Sequence, residues 1–242
     1  MQNLKLPARP GFLLQDYAKQ LEGIFGSGLI SLIVYGSAAS GEFIDEHSDV
    51  NLLVVLDDDS LANLEKVSVL VNQKKFSRFI PVFFTQNYIK ASSDVFPIEF
   101  LDMQENYALI FGKDVLQDLS IDIKNLRFQC EHELKVKLLN LKRFYLKKRT
   151  DRRALEQFLI KTCTSALHIL RNLARFKAKN TVYLKEDILS QLSREFGLNI
   201  PSFLKVLQLK KQGTKQDNAQ FRELFFEFTA DLQKCVQLVD GL

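Results

Sequence analysis

The stretch Val34-Tyr35-Gly36-Ser37-Ala38-Ala39-Ser40-Gly41-Glu42-Phe43-Ile44-Asp45-Glu46-His47-Ser48-Asp49-Val50-Asn51-Leu52-Leu53-Val54-Val55-Leu56 decides how this chain is read. An apolar run breaks at a Gly-Ser turn, small and polar residues follow, and a second apolar run opens with Ser-Asp-Val-Asn. Side chains two apart on a strand project from the same face. The pattern predicts two strands, with Asp49 and Asn51 turned together toward Gly36-Ser37 and Val50 and Leu52 turned into the core. Gly36 has no side chain, so an anion can approach its backbone closely. Ser37 offers a hydroxyl and a backbone N–H at the start of a short helix, where the dipole favours negative charge.

Outward from this stretch the periodicity predicts a compact α/β unit. Leu14, Tyr17, Ala18, Leu21, Ile24 and Phe25 recur at helical spacing over 12–25, and Gly26-Ser27-Gly28 ends that helix. Leu29 to Tyr35 reads as a buried strand and Asp49 to Leu56 as a second. Asp57-Asp58-Asp59-Ser60 reads as helix-capping chemistry rather than a metal cluster. A third strand is predicted over Phe79 to Phe84 and a fourth over Val95 to Leu101, the latter pushed toward a sheet edge by Pro97. Phe111-Gly112 reads as the turn out of the unit. Beyond residue 119 the apolar spacing becomes helical throughout, with segments near 126–145, 155–173, 184–196, 200–209 and 217–238, as in a helical bundle. The fold class read from these patterns is α+β, a mixed sheet with flanking helices followed by an all-α bundle, divided as 1–118 and 119–242.

Composition supports an ordinary globular chain, with 46% hydrophobic and 26% charged residues over 242 positions. Its apolar runs fall short of the ~18 residues that suggest a membrane span, and the start of the chain makes a poor signal peptide, which points to a cytoplasmic protein. Cys130, Cys163 and Cys235 are odd in number and widely spaced, a pattern for neither disulfides nor zinc. The net charge of +4 conceals a division, −7 over 1–118 and +11 over 119–242. Such asymmetry suits a basic half that faces phosphates or another polyanion.

The Gly-Ser turn, the 11 residues between Ser37 and Asp49, and the Asp-x-Asn opening of an apolar strand resemble the nucleotidyltransferase superfamily typified by DNA polymerase beta. The bundle that follows resembles the layout of the aminoglycoside-type members. That resemblance implies a nucleoside triphosphate seated by Gly36, Ser37 and Ser48, with Lys161 reaching in from the bundle. It also implies Mg2+ or Mn2+ gathered by Asp49, Asn51 and a third carboxylate on an adjacent strand, and a nucleoside monophosphate moved to a hydroxyl acceptor. Glu99 interrupts the predicted fourth strand and is the candidate for that third acid, which makes Asp49, Asn51 and Glu99 the expected catalytic set. Two departures stand out. Ser40 occupies the place of a frequent Arg, and Asn51 replaces the second acid, so it brings an oxygen but no charge. Two readings follow: a magnesium-dependent nucleotidyltransferase, or a catalytically impaired nucleotide-binding or regulatory module of the same fold.

Other residues read more plainly. Lys147-Lys148-Arg149 with Arg152-Arg153 is the densest basic cluster, at a joint between helices without interleaved aromatics, so nucleic acid is the less favoured partner. His47 lies in the loop before Asp49, and His132 and His168 lack a spaced metal partner. No membrane partner is expected, and a homodimer is compatible with the sequence.

Overall fold

The computed structural model describes residues 7–40, 49–177, 181–182, 184–212 and 217–242. The chain divides into two compact units, Met1–Asp122 and Ile123–Leu242.

In the first unit, helix α1 (Ala8–Phe25) leads through a 3-10 turn into strand β1 (Leu29–Tyr35). Helix α2 (Ser37–Ser40) is a single turn, and strand β2 (Val50–Leu56) follows. Short helices α3 (Leu61–Leu64) and α4 (Ser68–Val71), joined by a 3-10 turn, connect to strand β3 (Phe79–Thr85). Ahead of α3, the Asp58 carboxylate accepts from the Ser60 N–H and hydroxyl, the local turn chemistry expected of acids before a helix. Helices α5 (Gln86–Ala91) and α6 (Pro97–Glu105) precede strand β4 (Tyr107–Gly112). The strands form one mixed sheet in the order β3-β2-β1-β4, with β1 antiparallel to β2 and β4, and β2 parallel to β3.

Both faces of the sheet are covered, which explains why β1 and β2 read as continuous apolar runs. Leu32, Val34, Leu52 and Val54 pack with Leu14, Tyr17 and Leu21 of α1 on one face. Ile33, Leu53 and Val55 pack with Ile89 of α5 and with Phe100 and Met103 of α6 on the other.

Two sequence expectations need correction here. The segment Val95 to Leu101 is not a strand. Pro97 sits at the first position of α6, where its missing N–H is harmless and its fixed φ suits a helix. Pro97, Ile98, Phe100 and Met103 are then buried at helical spacing. The remaining strand is β4, and Phe111-Gly112 is its end rather than a turn ahead of the bundle. Gly112 is required there: φ is +77° and a Cβ would lie 2.1 Å from the Ile30 carbonyl oxygen.

The second unit is helical. Helices α7 (Ile123–Lys148), α8 (Arg152–Leu170), α9 (Lys185–Phe196), α10 (Pro201–Gln212) and α11 (Asn218–Asp240) enclose a core that includes Leu134, Leu159, Phe203 and Phe228. Gly197 closes α9 in the left-handed conformation, and a capping box from Asp217 and Gln220 opens α11. Cys130, Cys163 and Cys235 are buried free thiols, and burial pushes Cys163 up to about 12 and Cys235 up as well, so both stay protonated. No helix among the described residues is long and apolar enough to cross a membrane.

Candidate functional site

Gly36 ends β1 with φ +75°, a conformation that costs an L side chain roughly 1–2 kcal/mol. Its N–H donates to the Asn106 carbonyl at 2.9 Å and its carbonyl accepts from the Ala39 N–H at 2.9 Å, which ties the bend to the start of β4 and to α2. A Cβ on Gly36 would stand 3.3 Å from Asn51 Nδ2, so the Asn51 amide lies directly beside the bend. Asp49, just ahead of β2, is exposed, and strand alternation turns it to the same face as Asn51. The structure thus brings Gly36 and Asn51 together as expected, and leaves Asp49 exposed just ahead of β2. Ser37 opens α2. Ser48 lies outside the described residues.

Glu99 is the expectation that shifts furthest. It sits exposed in the first turn of α6, where a carboxylate faces water and gains from the helix dipole. Its placement among apolar neighbours carries no burial cost for a cation to offset. Lys161 lies on α8 within the second unit, exposed along a groove of about 690 Å³ that also includes Thr164, Ser165, His168 and Lys210.

The strands bring together a row that sequence reasoning did not assemble. Tyr107, Tyr35, Asn51 and Ile80 are register partners across β4, β1, β2 and β3. Tyr35 and Tyr107 pack on the same face as Leu53 and Val55, and alternation along β2 and β3 puts Asn51 and Ile80 there too. Burial raises the Tyr35 phenol, and burial together with a 2.8 Å hydrogen bond to Asp114 pushes Tyr107 up to about 12. Both therefore remain neutral donors at physiological pH. Ile80, beside Asn51, is 44% exposed. Arg78 enters next to Asp49, its carbonyl accepting from the Val50 N–H at 2.8 Å. The signal for this row was register, which a single strand's composition does not encode.

These residues poorly match a two-magnesium site. Magnesium is gathered by oxygen ligands, carboxylates above all, in a tight octahedron. Here the strands β1 to β4 contain no Asp or Glu; among the described residues Asp49 stands just ahead of β2, and Asp114 is taken by the Tyr107 hydroxyl. The position on β3 that faces the same way as Asn51 carries hydrocarbon. Among the described residues no group of three or more His, Cys, Asp or Glu is placed to hold a metal ion.

No family model matches the chain, and no curated protein does. Among solved structures it is similar to spectinomycin adenyltransferase AAD(9) from Enterococcus faecialis, solved with ATP and spectinomycin. The two superpose with a TM-score of 0.52 at 11% identity, over 92% of this chain and 99% of that one. This chain shares the fold of that adenyltransferase: a mixed sheet with flanking helices, continued by a C-terminal helical bundle.

Proposed function

We propose that the first unit binds the triphosphate of a nucleotide at the Gly36–Ser37 bend, and that binding rather than nucleotidyl transfer is its function. The observation that carries this is Asn51 beside the bend together with Ile80, its register partner on β3. Asn51 supplies an uncharged amide where the resemblance implies an acid, and its neighbour Ile80 supplies hydrocarbon. An amide donates to phosphate oxygens as readily as it accepts, so the same bend suits an anion without a metal.

A second reading is nucleotidyl transfer to a hydroxyl acceptor, favoured by the Asp49 carboxylate on the face of the bend and by the fold shared with an adenyltransferase. Calorimetry with ATP, in magnesium and in chelator, separates the two. The binding module should take ATP equally in both and release no pyrophosphate. Loss of binding in chelator, with pyrophosphate release against a panel of hydroxyl acceptors, would replace the first reading with the second. Absence of ATP binding under either condition would end both. The double substitution Asn51→Asp with Ile80→Glu restores a carboxylate set, and should make ATP affinity magnesium-dependent by about tenfold, close to 1.4 kcal/mol.

A further inference from the structure

At the joint between α7 and α8, seven of the twelve residues 142–153 are Lys or Arg. The one acid in that span, Asp151, is already engaged: its carboxylate caps α8 by accepting from the Ala154 N–H at 3.1 Å. Arg152 is held too, donating to Asn218 Oδ1 at 2.9 Å and lying 5.1 Å over the Phe221 ring. Lys142, Arg143, Lys147, Lys148, Arg149 and Arg153 are exposed, and no described carboxylate pairs with any of them, whereas Lys135, Lys137, Lys205, Lys211 and Lys234 of the same unit all have one. Arg153 also stands in the first turn of α8, where the helix dipole disfavours a cation. A surface shaped for stability alone would place an acid there.

We propose that this tip of the bundle is a docking surface for the phosphate backbone of a nucleic-acid duplex. Six unpartnered cations around one helical joint release counterions on contact with a polyanion, which is the main source of sequence-independent affinity. Aromatic residues of the span face inward: Phe144 stacks on Phe158 at 4.1 Å, and Tyr145 packs against Phe225 and Phe226. Both rings of the span are half-buried against these neighbours and leave unpaired bases little to stack on, so a duplex fits better than a single strand. Exposed hydrocarbon within the span is Leu146, too little to seat a helix in a bilayer. This surface is independent of the nucleotide site proposed above.

The test is fluorescence anisotropy of a labelled duplex with the full chain across a salt titration. Binding should weaken steeply with salt, and Lys147→Gln/Lys148→Gln/Arg149→Gln should weaken it at least tenfold and flatten the log–log salt slope by roughly 2 to 3. Neutralising Lys19, Lys74 and Lys90 of the first unit in the same way should leave both quantities nearly unchanged. If the triple variant fails to fold by circular dichroism, Lys142→Gln/Arg143→Gln gives the same readout. Equal loss in the control, no duplex binding, or a preference for anionic vesicles or polyglutamate over the duplex would overturn the proposal.

Discussion

Two carboxylates, one in each unit, serve different ends. Asp231 lies in the bundle, 4% exposed, and accepts from the Ser202 N–H at 3.1 Å and its hydroxyl at 2.7 Å, with Lys234 Nζ at 2.7 Å on the other oxygen. Asp49 lies exposed just ahead of β2, at the end of the sheet where Tyr107, Tyr35, Asn51 and Ile80 are register partners. Every polar atom around Asp231 is used within the protein, so its role is to join α11 to the start of α10. The row at the end of the sheet is half-buried instead, with the Tyr107 hydroxyl held by Asp114 and the Asn51 amide beside the Gly36 bend. A buried acid with such partners belongs to the fold, whereas an exposed one ahead of a strand carries no packing role.

The largest expected effect breaks the first half of that contrast. Asp231→Ala removes one partner of a buried pair and leaves the Ser202 N–H without its acceptor, which should cost about 3 kcal/mol in urea denaturation. ATP affinity per folded molecule should not change. Gly36→Ala acts on the other half. It forces an L side chain to φ +75° beside Asn51 Nδ2, and should cost about 1–2 kcal/mol while lowering ATP affinity in calorimetry. A stability loss with unchanged affinity would place the nucleotide elsewhere.

The smallest effect concerns a polar group that belongs to neither class. The Tyr17 hydroxyl is buried without a hydrogen-bond partner, and burial pushes its phenol up to about 12 from an ordinary 10.0. Tyr17→Phe should be neutral or stabilising by up to about 1 kcal/mol. Because the folded value lies above the unfolded one, the neutral phenol's contribution is complete below pH 10 and falls away as pH rises toward 12. Thermal melts across that window should decline less steeply for Tyr17→Phe than for wild type.

Much of the sheet was legible because buried strands leave a simple trace. β1, β2 and β3 are seven-residue stretches dominated by apolar residues, many of them β-branched, with clear stops at Gly36, Asp57 and the Thr85 cap. The bundle was legible for the same reason at the helical period. The region from Val95 to Gly112 was not. Phe96-Pro97-Ile98-Glu99-Phe100-Leu101 is apolar enough to satisfy either period, and Pro97 suits an edge strand as well as a helix start. Once that segment was read as strand, β4 had no place left, and Glu99 acquired a burial it does not have.

Read alone, the chain of residues established the bend at Gly36, a strand that opens with Asn51 near it, and a helical second half. Those follow from local rules: a glycine's freedom, the two-residue period of a strand and the spacing of apolar residues on a helix. Only the folded molecule decided that Tyr35 and Ile80, rather than a third acid, flank Asn51. Register between strands is set by packing across the whole sheet, so which side chains become neighbours is a property of the tertiary structure and of no single segment.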